Sequence, residues 1–312
     1  MTRHLKIHMK TITRTALITL LALLFSALVP LASALAATGG GRRTFTRIVP
    51  AHSRASFSMA DDIGAADASI KVESDVPVIP ERAMYTPARR EGHDSIGTTT
   101  PSRECFLAEG TTAWGFTTYL LVQNPNAAPA SVTLTYMTAD GPRRQVPFSM
   151  PANARKTVRV NDVLAPSDFS TLVDSDVPVI AERAMYWDDG TGKACHDSIG
   201  VSAPHDSFFL PGGVVDREGA VESWTLVQNP GGSPVRVKVL YLLETGKGCR
   251  SFEATIRAGS RRTFEMADVL GDGRAAVEVE SLTSSGGIVS EMATYSNGRG
   301  AGTDTIRGYL DR

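Results

Sequence analysis

VESDVPVIPERAMY at Val72–Tyr85 returns as VDSDVPVIAERAMY at Val173–Tyr186, identical at 12 of 14 positions. Other blocks recur around it in the same order. HDSIG stands at His93–Gly97 and at His196–Gly200, and LVQNP at Leu121–Pro125 and Leu226–Pro230. A further block occurs three times with more drift: PAHSRASFSMADDI from Pro50, PANARKTVRVNDVL from Pro151 and RAGSRRTFEMADVL from Arg257. The offsets of 101 to 109 residues make the repeating unit about one small domain long. A weakened copy closes the chain as Glu291-Met292-Ala293-Thr294-Tyr295 and then Asp304-Thr305-Ile306, with Met292 at the Arg position and Thr303 at the His position.

Inside a unit the hydrophobic period is two. SVTLTYM puts Val132, Leu134 and Tyr136 on one face, and VRVKVLYL does the same with Val235, Val237, Val239 and Tyr241. Such alternation marks half-buried strands, and Asn-Pro, Asp-Gly and Pro-Gly-Gly turns separate the runs. Six or seven short strands per unit predict an all-β fold of tandem antiparallel, immunoglobulin-like β-sandwiches, about two and a half repeats long. Helix is expected only as single turns at Asn161–Leu164 and Ala267–Leu270. The expected division is a leader at 1–36, a half repeat at 37–101, a full repeat at 102–204 and a second, more divergent one at 205–312.

The leader reading rests on order. Arg3, Lys6, Lys10 and Arg14 precede the apolar run Ala16–Leu31, and Ala34-Leu35-Ala36 then supplies small residues at the spacing of a cleavage site. That succession describes a secretory signal peptide, so the mature chain is expected to start near Ala37 and to be secreted or associated with the cell surface. The formal net charge is -1, and without the four leader cations 28 basic residues face 33 acidic ones. Phosphate binding needs a basic face, so nucleic acid is not an expected partner.

The blocks FLAEGTTAWGF, LVQNPNAAPASVTLTYM, PANARKTVRVNDV, DVPVIAERAMYW and HDSIG together resemble a tandem β-repeat family of unknown function. That family occurs in secreted and cell-surface bacterial proteins, often beside cell-wall-binding or hydrolytic modules. The resemblance covers Phe106–Gly200 closely. It is weaker over Phe208–Tyr309, where Gly212-Gly213 replaces Glu109-Gly110. It implies a surface address and brings no activity with it.

Chemistry-bearing residues cluster in the repeated motifs. His93-Asp94-Ser95 and His196-Asp197-Ser198 contain the residue types of a catalytic triad. Adjacent strand residues point to opposite faces, however, so three in a row cannot form one. Glu81-Arg82 and Glu182-Arg183 offer one carboxylate and one guanidinium per unit. A glycosidase would need two carboxylates about 5–10 Å apart across a cleft, which Glu182 and Asp197 are the pair to supply. The competing account is structural, with acids paired to arginines and Asp or Ser side chains bonded to turns. Asp188-Asp189-Gly190-Thr191-Gly192 lacks the alternate acids and closing Glu of a calcium loop. No metal, cofactor or catalytic residue is assigned. Trp114, Phe116 and Trp187 are the candidate binding aromatics, able to stack on a sugar or to plug a neighbouring domain.

Three cysteines, Cys105, Cys195 and Cys249, allow three pairings. Cys105 opens the full unit and Cys195 precedes its closing strand, which makes Cys105–Cys195 the expected disulfide. The reading of function is a noncatalytic secreted or surface repeat protein with a structural, adhesive or envelope-binding role. Its expected partner is an extracellular protein or an envelope glycan, with self-association through the half repeat as a further route. The alternative is a secreted hydrolase acting on glycan or peptide through the ERAMY and HDSIG residues.

Overall fold

The computed structural model describes residues 3–12, 41–85, 91–188, 193–244, 246–284, 286–306 and 308–311. The expected cleavage site lies outside them, as do residues 189–192 of the Asp-Gly loop. Among the described residues no helix is long and apolar enough to cross a membrane. The described residues form an all-β, sandwich-like fold in which the strands pair antiparallel.

β1 (Arg3–Ile12) precedes the N-terminal half repeat, which contains β2 (Gly41–Val49), α1 (Met59–Ile63), β3 (Asp67–Ser74), β4 (Glu81–Tyr85) and β5 (Gly92–Ile96). The first full unit follows with β6 (Ser102–Leu107), β7 (Phe116–Asn124), β8 (Ala130–Thr138), β9 (Gly141–Arg144), β10 (Phe148–Met150), β11 (Ala154–Arg159), β12 (Phe169–Asp188) and β13 (Lys193–Ile199). Its two layers are joined through β12, whose 20 residues serve both. Phe169–Ser175 pairs with β8, and Ile180–Trp187 pairs with β7. The strand changes layer where its pairing with β6 shifts register, between Asp174 and Val179.

The second full unit holds β14 (Ser207–Val215), β15 (Glu222–Asn229), β16 (Val235–Leu243), β17 (Cys249–Ile256), β18 (Ser260–Glu265), α2 (Ala267–Leu270), β19 (Gly273–Ser281), β20 (Val289–Ser296), β21 (Ala301–Thr305) and β22 (Tyr309–Leu310). Here the counterpart of β12 is broken into β19 and β20, which leaves a five-stranded sheet, β17-β16-β19-β14-β22, and a four-stranded one, β18-β15-β20-β21. The alternating residues named from sequence do form the cores. Val132, Leu134 and Tyr136 are buried in one, and Val235, Val237, Val239 and Tyr241 in the other. Each buried Val or Leu contributes roughly 1.5–3 kcal/mol.

Two motifs now have structural reasons. The Asn of LVQNP pins a turn. Asn124 Nδ2 donates to the carbonyls of Ala128 and Pro151, and its Oδ1 accepts from the Asn126 amide. Asn229 does the same with Ser233, Ile256 and Gly231. The third position of the PAH/PAN/RAG block is left-handed in every copy, with φ of 55° at His52, 52° at Asn153 and 55° at Gly259. Asn and Gly tolerate that region best, which keeps the turn available as the sequence drifts.

The half repeat copies only part of this plan. β11 pairs with β7, and β18 with β15, so the PANAR-type strand needs an LVQNP strand beside it. The half repeat has no LVQNP block, and residues 53–57 form no strand. The β8 position, by contrast, is filled. The order β2-β1-β3 matches β10-β8-β12, and Leu5 pairs with Arg47 and Ser74 as Val132 pairs with Phe148 and Ser175. That strand lies within the segment read as a leader, so cleavage after Ala36 would withdraw it from between β2 and β3.

Candidate functional site at the repeat junctions

Consecutive residues of a strand face opposite ways, so the Glu and Arg of ERAMY cannot serve one site. In β12 they serve two. Arg82 and Arg183 point forward to the next unit, and Glu182 and Glu291 point back to the Arg of the unit before. The β4–β5, β12–β13 and β20–β21 hairpins stack in this sense, with the Asp of HDSIG facing back beside the Glu and the His facing forward beside the Arg.

At the first junction, Arg82 of β4 donates through Nη2 to both Glu182 of β12 and Asp197 of β13. His93 of β5 sets Nδ1 2.7 Å from Asp197 Oδ2. Its Nε2 is hydrogen-bonded to the Tyr186 hydroxyl at 2.8 Å. The Arg82 side chain keeps 21% of its surface exposed. Burial pushes the Glu182 carboxyl up to about 8, with Arg82 opposing the shift and Asp197 adding to it. Burial thus disfavours the charged form of Glu182, although it shares the Arg82 guanidinium with Asp197.

The second junction repeats the scheme in a dry interior. Arg183 is fully buried and touches three acids: Glu291 Oε2 at 2.5 Å, and Glu109 Oε2 and Asp304 Oδ2 both at 2.9 Å. The other oxygen of Glu291 accepts from the Ala108 amide at 2.8 Å, and the Tyr295 hydroxyl donates to Glu109 Oε1 at 2.9 Å. His196 Nε2 lies 3.2 Å from that hydroxyl. Burial pushes the Asp304 carboxyl well up, with Glu291 adding and Arg183 opposing. Burial thus disfavours the charged form of Asp304, which accepts from Arg183. Burial would raise Glu109 too, but His196, Arg183 and hydrogen bonds from Asp304 and Tyr295 bring it down to about 2. Burial lowers His196 to about 4, so its imidazole is neutral at pH 7 and Arg183 is the standing cation.

Glu109, His196 and Asp304 are grouped closely enough to ligate a metal ion. The guanidinium already stands in the cation's place, 2.9 Å from both acids. The arrangement joins repeats, and its carboxylates face a guanidinium.

The third copy shows what happens where the scheme stops. Met292 replaces the Arg and is buried in its own unit's core. Gly212 replaces Glu109, and a Cβ on Gly212 would stand 4.0 Å from the Met292 methyl. The ion pair is lost at both partners together, and the Arg position holds a buried apolar side chain. Buried ion pairs are costly to assemble and are often replaced by hydrophobic groups without loss.

Of the two uses expected for the aromatics, Phe116 and Trp187 take the plug, packed with Leu226, Ala293 and Tyr295 of the next unit. Their rings lie 4.8 Å apart, Trp187 packs on Tyr295, and its indole donates to the Arg299 carbonyl at 2.6 Å. Gly302 of β21 makes room for it, since a Cβ there would lie 2.7 Å from the indole. Trp114 alone of the three is exposed, at 75%, on a backbone with φ of 58°. The Cys105–Cys195 disulfide is overturned: both thiols are free and buried, and Cys249 is free and exposed. Phe106 bridges to Val201, which places Cys105 beside Gly200, five residues down the strand from Cys195. That separation is about 16 Å at the rise of a β-strand, far beyond a bridge. Burial instead pushes each thiol up to about 11.

Of the motif residues, Arg82, Glu182, His93 and Asp197 meet at one junction, and Arg183 and His196 at the other. Glu81 and Asp94 are exposed and meet neither. The sequence reading missed Glu109, Tyr186 and Tyr295. A signal for Glu109 was present, because the copy that loses the Arg also loses this Glu.

These features define an all-β protein whose repeats are joined through buried arginine–carboxylate contacts. The chain belongs to a family of unknown function, DUF5719, whose family model matches residues 90–305. Fourteen solved chains match as well. One is the crystal structure of Thermotoga maritima 1070, 17% identical, which spans 33% of this chain and 96% of its own at a TM-score of 0.31. No curated protein matches.

Proposed function

We propose that the chain is a noncatalytic secreted or cell-surface repeat protein with a structural, adhesive or envelope-binding role. The observation that carries this reading is the use made of the motif residues. The two carboxylates a hydrolase would need, Glu182 and Asp197, share the guanidinium of Arg82, and the Asp197 side chain is 1% exposed. A catalytic acid and base must face substrate across a gap about 5–10 Å wide, and this pair faces another repeat. A partner then meets the outside of the array, as an extracellular protein or an envelope glycan would.

The test is a zymogram against cell wall and polysaccharide, run with the wild-type chain and Glu182→Gln. Neither is expected to clear the substrate. Clearing by the wild type that disappears in the variant would establish the hydrolase instead. Intact-mass measurement of exported protein decides the leader. A chain beginning near Ala37 supports export by cleavage, and one retaining Met1 keeps β1 in its sheet.

A further inference from the structure

Among the described residues, the backward face of a hairpin is covered in β12–β13 and β20–β21 and is exposed in β4–β5. In β12–β13 that face carries Ile180, Glu182, Ala184, Tyr186, Asp197 and Ile199, and Arg82 and His93 sit against it. In β20–β21 it carries Glu291, Ala293, Tyr295 and Asp304, and Arg183 and His196 sit against it. In β4–β5 the same positions are Ile79, Glu81, Ala83, Tyr85, Asp94 and Ile96, identical to those of β12–β13. All six are exposed, with Ile79 at 86%, Tyr85 at 64% and Ile96 at 47%. The face pairs two carboxylates with an apolar surround and matches the surface that binds an arginine at the next junction.

We propose that this face of β4–β5 is a docking site for an arginine-bearing β-hairpin of the same repeat type, carried by a different polypeptide. Charge and precedent select that occupant. Glu81 and Asp94 stand where Glu182 and Asp197 hold Arg82, and where Glu291 and Asp304 hold Arg183. Burying the two carboxylates without a cation would be costly, whereas a guanidinium satisfies both at once. A second copy of this chain does not fit. Two such faces meeting would set acid against acid. Arg82 and Arg183 are already engaged within the chain, and the third hairpin offers Met292 and Thr303. The proposal rests on the noncatalytic reading, with the motifs acting as connectors, but it fails separately from it. Zymogram clearing would remove that reading, whereas the binding experiment below addresses this face alone.

The probe is a backbone-cyclised peptide joining Glu182–Trp187 to Ala194–Ile199 in their native pairing, with Ser in place of Cys195. Its hairpin fold is checked first by NMR. Titrated into the full chain, it is expected to bind, and Glu81→Gln/Asp94→Asn should weaken binding at least roughly tenfold. A peptide with Met at the Arg183 position should fail to bind, as the third copy suggests. No binding by the folded peptide, or equal binding by the double variant, overturns the proposal. So does self-association of the full chain, by sedimentation, that Glu81→Gln/Asp94→Asn abolishes, since the occupant would then be a second copy.

Discussion

Arg82 and Arg183 occupy the same position of the same motif and live in different surroundings. Arg82 meets two acids and keeps a fifth of its side-chain surface in contact with solvent. Arg183 meets three acids and keeps none. The motif is unchanged, so the difference comes from what stands around it. A complete sandwich with FLAEG and LVQNP strands covers Arg183 and supplies Glu109 as the third acid. The half repeat has neither strand. A short polar motif therefore sets which groups meet, and the neighbouring apolar strands set how dry the meeting is.

That contrast makes the largest prediction concern Arg183. Arg183→Met strands Glu109, Glu291 and Asp304 without their cation and should cost about 3–5 kcal/mol in urea unfolding. Adding Glu109→Gly imitates the third copy at both positions. The double variant should be no less stable than the single one, because the two residues are coupled. Arg82→Met should cost less, about 1–2 kcal/mol, because solvent screens a partly exposed pair. Equal costs for the two arginines would break the comparison, since burial would then not matter.

Glu182 gives the contrast a pH dependence. Its carboxyl is pushed up to about 8 in the folded protein by burial, against an ordinary value of 4.5. A group raised on folding gives stability that is complete below its unfolded value and is lost as pH rises through its folded value. Docking of the half repeat should therefore weaken between about pH 5 and pH 9, by at most about 1.4 kcal/mol per pH unit. Glu182→Gln, which cannot ionise, should flatten that slope. A slope unchanged in the variant would place the titrating group elsewhere.

The repeat and the strand period were legible because both are properties of the sequence written out in order. Val132, Leu134 and Tyr136 alternate, and alternation is what a half-buried strand needs. The partners of Arg183 were not legible, because Glu109 precedes it by 74 residues and Glu291 and Asp304 follow by 108 and 121. Nothing local marks such a meeting. Cys105 and Cys195 misled for the opposite reason. They stand near the two ends of one unit, and the rule that end strands neighbour each other holds for the strands: Phe106 does bridge to Val201. It fails for the cysteines, which sit at different heights along those neighbouring strands. The long β12, serving both layers, was also hidden, because its change of layer at 176–179 falls inside the block repeated at Val72–Tyr85.

The smallest effect is read through the thiols, and it separates the first junction from the core of the unit it joins. Cys105 is buried in the core of the first full unit. Cys195 lies where the half repeat packs, and its thiol is pushed up by burial first and by Glu91 and Asp197 next, while the Gly92 backbone of β5 opposes the shift. Cys249 is exposed and should label at once with a thiol reagent. The other two should label only through opening, at rates set by how often their surroundings separate. Arg82→Met loosens the β4–β5 hairpin and should speed labelling of Cys195 severalfold while leaving Cys105 unchanged, as peptide mapping would show. If both thiols accelerate together, the half repeat and the first unit open as one body. If neither moves, Arg82 contributes nothing to holding the hairpin in place, and the apolar contacts around it must do so alone.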